Sequence, residues 1–255
     1  MEYEAIIFDL DGTAIPNAQN VLPSQRVSDA IKAAESTFKL CAATGRPITN
    51  GKKILDALGL VDPCVISAGT QIINPRSGEI YWEYDIEPKD VHQILEVCSP
   101  YPYELLVREE LIGEGSPAAQ HEIDGSVNVM YLMQCNKADG SVIMEELAKI
   151  PTIIASGVIS WTGKNIDIHM THRDATKEHA IAKLLEIIGV SKDKTIGVGD
   201  ADNDVHLFKA VGLKVAMGNA TELLKSQADI VCDTVDNDGL AKFIDEQVAM
   251  KEEAL

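Results

Sequence analysis

The chain alternates between apolar runs of strand length and amphipathic stretches of helix length. Ile6-Ile7-Phe8, Leu40-Cys41-Ala42-Ala43, Cys64-Val65-Ile66, Thr195-Ile196-Gly197-Val198 and Lys214-Val215-Ala216-Met217 are continuous apolar or near-apolar runs. Such runs predict strands covered on both faces, as in a parallel sheet. Between them, Val27, Ala30, Ile31 and Ala34 recur at helical spacing behind an N-cap candidate, Ser24. Ile54, Leu55 and Leu58 form a second helical stripe that Gly59 ends, and Ile181, Leu184, Leu185 and Ile188 form another that Gly189 ends. Val205, Leu207, Phe208 and Val211 open a further helix, and a short helix, a strand at Ile230-Val231-Cys232 and a last helix complete the tail. Strand followed by helix, repeated, predicts an α/β fold with a parallel sheet and helices on both faces.

From 83 to 171 the text changes character. A helix carrying Val91, Ile94, Leu95 and Cys98 precedes strand-like pieces at Leu105-Leu106-Val107 and Val127 to Tyr131. A helix through Val142, Met144, Leu147 and Ile150 follows, then strands at Val158 to Trp161 and Ile166 to His169. This is α+β text interrupting α/β text. It predicts a separate unit at 83–171 inserted into a core made of 1–82 and 172–255.

Composition narrows the partners. The 255 residues are 45% hydrophobic, enough for one large core or two modest ones. The net charge of −18 argues against holding nucleic acid or an anionic membrane through bulk charge, and leaves phosphate ligands open because a site can be locally positive. Cys41, Cys64, Cys98, Cys135 and Cys232 are scattered, odd in number and without metal-ligand spacing, which reads as reduced, mostly buried thiols. The acidic start, Met1-Glu2-Tyr3-Glu4, has no signal-peptide pattern. No apolar run nears the ~20 residues that span a bilayer. The expectation is a cytoplasmic protein, and the choice between monomer and homodimer stays open.

The chemistry lies where strands end. Ile6 to Phe8 run into Asp9-Leu10-Asp11-Gly12-Thr13. Alternation along a strand lets Asp9 and Asp11 share a side while Leu10 turns away. Neighbouring carboxylates repel, so one takes a proton or a cation sits between them, which suits a nucleophile beside a general acid with a hard metal ion. The next strand runs into Thr44-Gly45-Arg46-Pro47, a hydroxyl and free amides ahead of a helix, a good anion site. Gly45 to Lys52 is not a P-loop, because the glycine gap is one residue too long and Lys53 stands where a hydroxyl belongs. Lys177 opens a helix, an unfavourable place for a cation unless it serves something else. Gly199-Asp200-Ala201-Asp202-Asn203-Asp204 ends another strand; Val205 and Val211 stand where a calcium loop needs Gly and Glu, so that reading fails.

Phe8-Asp9-Leu10-Asp11-Gly12-Thr13, the Thr44-Gly45 turn, Lys177 and Gly199-Asp200-x-x-Asn203-Asp204 occur in the order of the four motifs of the haloacid dehalogenase (HAD) superfamily, and the chain resembles its Cof-like subgroup. That resemblance implies a Rossmann-like core with a large inserted α/β cap that chooses the substrate. It implies a Mg²⁺-dependent phosphatase for a small phosphorylated metabolite, a sugar phosphate or a relative of one such as phosphoglycolate. Asp9 would be the nucleophile that forms an aspartyl-phosphate, and Asp11 the general acid and base. Asp9, the Asp11 backbone carbonyl and Asp200 would hold Mg²⁺. Thr44, Gly45, Lys177 and Asn203 would bind the phosphoryl group, with Asp204 supporting Lys177 or the metal's water shell. Asn165, Asp167 and His169, with Asn128 and Arg173, are the polar candidates in the cap. The subgroup usually has Asn where this chain has Ala68, so no role carries over there. A phosphomutase and a non-enzymatic phospho-aspartate switch are the competing readings.

Overall fold

The computed structural model describes residues 3–18, 21–107, 110–112, 127–160 and 162–253. The chain divides into two compact units, Met1–Trp82 with Lys177–Leu255, and Glu83–Thr176. The second crossing falls just before Lys177 because the last strand of the inserted unit runs on through His172.

In chain order the first unit opens with β1 (Ala5–Phe8), α1 (Gln25–Ala34), β2 (Lys39–Ala42), α2 (Ile48–Leu58), β3 (Cys64–Ile66), β4 (Gln71–Ile73) and β5 (Ile80–Glu83). The inserted unit holds α3 (Pro88–Cys98), β6 (Glu104–Val107), β7 (Glu110–Ile112), β8 (Val129–Cys135), α4 (Lys137–Leu147), β9 (Ile153–Ile159) and β10 (Ile166–His172). The first unit resumes with α5 (Lys177–Ile188), β11 (Thr195–Gly199), α6 (Val205–Ala210), β12 (Leu213–Ala216), α7 (Glu222–Lys225), β13 (Ile230–Val231) and α8 (Gly239–Glu253).

The first unit is built on a parallel sheet in the order β13-β12-β11-β1-β2. β1 lies inside it, and Ala5, Ile6, Ile7 and Phe8 are fully buried, which is what an uninterrupted apolar run buys. Burying each of the three large side chains stabilises by about 1.5–3 kcal/mol. Past β2 a single parallel bridge, Ala43 to Val65, carries the sheet edge toward the three-stranded β3-β4-β5. Helix ends follow local chemistry. The Ser24 hydroxyl accepts from Val27 N–H at the start of α1, and Gly59 and Gly189 close α2 and α5 in the left-handed region at φ +75° and +71°. Cys41, Cys64, Cys98 and Cys135 are buried free thiols, and burial pushes Cys64, Cys98 and Cys135 up to about 12. Among the described residues no helix is long and apolar enough to cross a membrane.

The inserted unit is an antiparallel sheet, β7-β6-β8-β10-β9, with α3 and α4 sharing its apolar cluster. Two expectations are corrected here. The buried face of α4 is Gly140, Ile143 and Leu147, spaced three and four apart, whereas Val142 is exposed and Ile150 lies beyond the helix end. The stripe through 142 and 144 mixed two faces of one helix. The strand expected from Val127 starts at Val129, with Val127 instead bridging Ile86. Trp161, expected at the end of a strand, lies outside the described residues.

Candidate active site

The C-terminal ends of β1 and β11 are adjacent in a parallel sheet, so Asp9, just past β1, and Asp200, just past β11, meet. Gly12 makes the meeting possible. Its φ is +81°, and a Cβ there would lie 2.1 Å from Asp200 Oδ2. Thr13 then donates its hydroxyl proton to Asp200 Oδ1 at 3.0 Å. A helical turn after β11 brings Asp204 into the same place. One carboxylate oxygen from each of Asp9, Asp200 and Asp204 lies within 4.8 Å of the others.

Lys177, the first residue of α5, reaches into this cluster and is itself buried. Its Nζ donates to Asp9 Oδ1 at 2.6 Å and to Asp204 Oδ1 at 2.8 Å. Asp204 Oδ2 accepts the backbone N–H groups of Asp200 and Ala201 at 3.1 and 3.2 Å. Both oxygens of Asp204 are therefore engaged, one on Lys177 and the other on the turn. Burial pushes the Asp9 carboxyl well above the usual carboxylate range, against the pull of Lys177, with Asp204, Asp200 and Asp11 adding to the rise. Burial, then Asp204, pushes Asp200 up to about 7, with the Thr13 hydrogen bond working the other way. Burial alone would lower the Lys177 amine, but Asp204 and Asp9 overcome it and raise it. Three carboxylates share one ammonium, so the fully ionised cluster is short of positive charge. A divalent cation fits that deficit and that all-oxygen donor set. Asp9 and Asp200 are the side chains with oxygens left to give.

Asp11 is placed differently. Its carboxylate turns to Arg46, whose Nε donates to Oδ2 at 2.7 Å and whose Nη2 donates to Oδ1 at 2.6 Å. That leaves only the Asp11 backbone carbonyl for a metal. Thr44 is buried just beyond β2, and its hydroxyl accepts the Arg46 N–H at 3.1 Å. Gly45 follows Thr44 in the turn that leads to Arg46, and Asn203 is half-buried beside Asp204.

Two groups escaped the sequence reading. Arg46 was seen only as part of a turn; its pairing with Asp11 joins two strand ends across 35 positions. Asn219 stands in a glycosylation sequon, Asn219-Ala220-Thr221, yet it is a strut. Its Nδ2 donates to the Gly12 carbonyl at 2.8 Å, and its Oδ1 accepts from Val235 N–H at 2.8 Å. Its place after the β12 run, at the same sheet edge, was the available signal.

The candidates in the inserted unit do not form a cluster like this. Asp167 Oδ1 accepts the backbone N–H of Gln134 at 2.7 Å, steadying a residue held at φ +56°. Arg173 donates to the Pro151 carbonyl. His169 meets the Tyr131 ring edge-on at 4.9 Å, the Asn165 backbone carbonyl accepts Ser160 N–H in the β9–β10 connection, and Asn128 is half-buried.

A parallel α/β sheet with a lysine-bridged carboxylate cluster at its C-terminal edge, interrupted by an antiparallel unit, defines the haloacid dehalogenase class of fold. The chain belongs to the haloacid dehalogenase-like hydrolase family, whose model matches residues 6–113 and 117–244. It is therefore an enzyme, a hydrolase of that family, and relatives spanning its whole length carry phosphatase names. A phosphatase-class protein of Haemophilus influenzae is 39% identical over 277 residues, covering 97% of this chain and 99% of that protein. Phosphoglycolate phosphatase 1 of Saccharolobus solfataricus is 31% identical over 104 residues, which is 38% of this chain and 46% of that protein. A solved structure of a HAD subclass IIB sugar phosphatase superposes with a TM-score of 0.77 at 20% identity, covering 95% of this chain and 98% of that one.

Proposed function

We propose that the protein is a Mg²⁺-dependent phosphatase for a small phosphomonoester, a sugar phosphate or related metabolite, working through an aspartyl-phosphate. The observation that carries the reading is the buried Asp9–Lys177–Asp204 chain beside Asp200, at the sheet edge where ligands of open α/β folds bind. Asp9 and Asp200, with the Asp11 carbonyl, would hold Mg²⁺, which when bound supplies charge neutralisation to the phosphoryl oxygens. Thr44, Gly45, Lys177 and Asn203 bind and orient the phosphoryl group.

Asp9 attacks phosphorus in line as the ester P–O bond breaks, and the leaving alkoxide takes a proton from Asp11. Water then attacks the phosphoryl group, Asp11 takes its proton, and the Asp9–phosphorus bond breaks to release phosphate. Asp9 and Asp11 end as they began. Lys177 keeps the nucleophile aligned and offsets charge on the transferring group, which is most of what such a transition state needs.

The inserted unit, 83–171 by sequence pattern, supplies substrate choice, and the sugar and phosphoglycolate activities named for relatives suggest the panel. Phosphate release from sugar phosphates, phosphoglycolate and nucleotides, with and without Mg²⁺, tests the reading, with Asp9→Asn as control. Mg²⁺-dependent release that Asp9→Asn abolishes is the expected result. Undiminished release by a folded, contaminant-free Asp9→Asn protein overturns it. Swapping Asn165, Asp167 or His169 should alter substrate preference more than turnover of a small aryl phosphate; equal losses on both would end the specificity assignment.

A further inference from the structure

Arg46 is rooted more firmly than a side chain that merely neutralises charge. Its backbone N–H donates to the Thr44 hydroxyl at 3.1 Å, and its carbonyl accepts Ser67 N–H at 2.8 Å. Ser67 and the next two residues all have positive φ, +53° for Ser67, +59° for Ala68 and +97° for Gly69. Two of the three are not glycine, so the turn that holds the Arg46 carbonyl is strained. That turn packs against α5, the helix that begins with Lys177. From this base the guanidinium meets the Asp11 carboxylate through two parallel hydrogen bonds, side-on, with both groups about three-quarters covered. A two-point bond of this kind fixes the plane of the carboxylate as well as its position, which one ammonium cannot do.

We propose that Arg46 is a positioning residue for the proton-transfer group. It sets where the Asp11 carboxylate stands when it receives the proton of the attacking water and returns one to the leaving oxygen, and it takes no part in the attack of Asp9 on phosphorus. The proposal rests on the assignment of Asp11 as acid and base. It separates two kinds of ester. An alkoxide leaves only with a proton, whereas a nitrophenolate leaves without one. Loss of Arg46 should therefore slow release of the first leaving group and spare release of the second, while the hydrolysis of the aspartyl-phosphate that follows slows for both.

The experiment compares the single-turnover rate of leaving-group release and its half-saturation constant for p-nitrophenyl phosphate and for the best alkyl phosphate of the substrate panel, in wild type, Arg46→Lys, Arg46→Met, Asp11→Asn and the Asp11→Asn/Arg46→Met double variant. Correctly positioned acid–base groups contribute roughly 10²–10⁴-fold, so Arg46→Met should lose about 10²-fold in leaving-group release from the alkyl ester and less than about threefold from the aryl ester, with the half-saturation constant nearly unchanged. Arg46→Lys keeps the charge without the fork and guards against a folding defect; it should show the same split, smaller in size. The double variant should be no slower on the alkyl ester than Asp11→Asn alone, because both changes remove one function. Equal losses of leaving-group release from both esters with a raised half-saturation constant would mean that Arg46 grips the phosphoryl group itself and would overturn the proposal, as would additive losses or no loss. If Asp11→Asn alone fails to separate the two esters, the assignment of Asp11 falls first, and that outcome is visible without any Arg46 variant.

Discussion

Replacing Lys177 by Met tests whether one cation holds an over-acidic cluster together. Met keeps the unbranched shape and most of the volume, so the start of α5 stays packed while the charge and both hydrogen bonds go. The cost is set by burial. Lys177 and its two partners are all at least nine-tenths covered, and removing one member of such a pair leaves a carboxylate in a poorly solvated place at a cost of about 3–5 kcal/mol. For a chain of this length that is a fall in Tm on the order of 10 °C. Lys183 provides the control. It bonds Glu186 at 2.7 Å, as short as the buried pairs, but both side chains are largely exposed. Lys183→Met should lose less than about 0.5 kcal/mol.

The same variant carries a pH signature. The Asp9 carboxyl is already raised by burial, with Lys177 opposing the rise. The folded state thus keeps a proton that the unfolded chain gives up near the ordinary carboxylate value, and stability from this group falls as pH rises from about 4 through its folded value. Without Lys177 that value moves higher still. The deficit of Lys177→Met should be largest near pH 8 and shrink toward pH 5, read by urea unfolding in EDTA. A deficit below about 1 kcal/mol at pH 8, or the same deficit at both pH values, would refute the argument.

Asp200 makes a prediction about metal binding. With its carboxyl pushed up to about 7, an incoming divalent ion must displace a proton, so affinity should fall about tenfold per pH unit below that point. Calorimetry in two buffers of different ionisation enthalpy measures the proton released; equal affinity at pH 6 and pH 8 with no release would rule this out. The strained turn makes another. Ala68 sits at φ +59°, and glycine removes the left-handed penalty while giving back part of it in chain entropy, so Ala68→Gly should stabilise by about 0.5–1 kcal/mol in urea unfolding. A loss of stability there would mean that the methyl group's packing outweighs the backbone strain.

The acidic centre was legible because it depends on local rules. Apolar runs placed β1 and β11 inside a parallel sheet, and a polar residue just past such a strand must lie at its C-terminal edge. That logic placed Asp9, Thr44 and Asp200 without any knowledge of contacts. Lys177 was readable as an anomaly, a cation at the positive end of a helix dipole. What stayed hidden depended on where a flexible side chain points. The length of Arg46 lets it serve phosphate, solvent or another carboxylate equally well, and only the fold shows it on Asp11. Asn219 drew no notice in the sequence because its two partners, Gly12 and Val235, are 207 and 16 positions away. The face of α4 was misread because that helix is weakly amphipathic, with glycine as one of its buried residues.

Charge links these observations. A protein of net charge −18 repels a phosphate dianion at long range, so capture must depend on a local reversal of sign. Lys177 alone cannot supply it, because its single positive charge is already shared between Asp9 and Asp204, which take two of its three N–H donors. Arg46 cannot either while both Asp11 oxygens hold it. The two cations of the site are thus paired with its own carboxylates, and Asp200 has the Thr13 hydroxyl as its side-chain partner and only a through-space pull from Lys177. A divalent ion held by Asp9 and Asp200 would make up that shortfall and would turn an anion-repelling edge into an anion-binding one. On this argument metal should bind before substrate. Phosphate affinity without Mg²⁺ should then be weak even though Thr44 and Lys177 stand in place, and tight phosphate binding in EDTA would show that the site's own cations suffice.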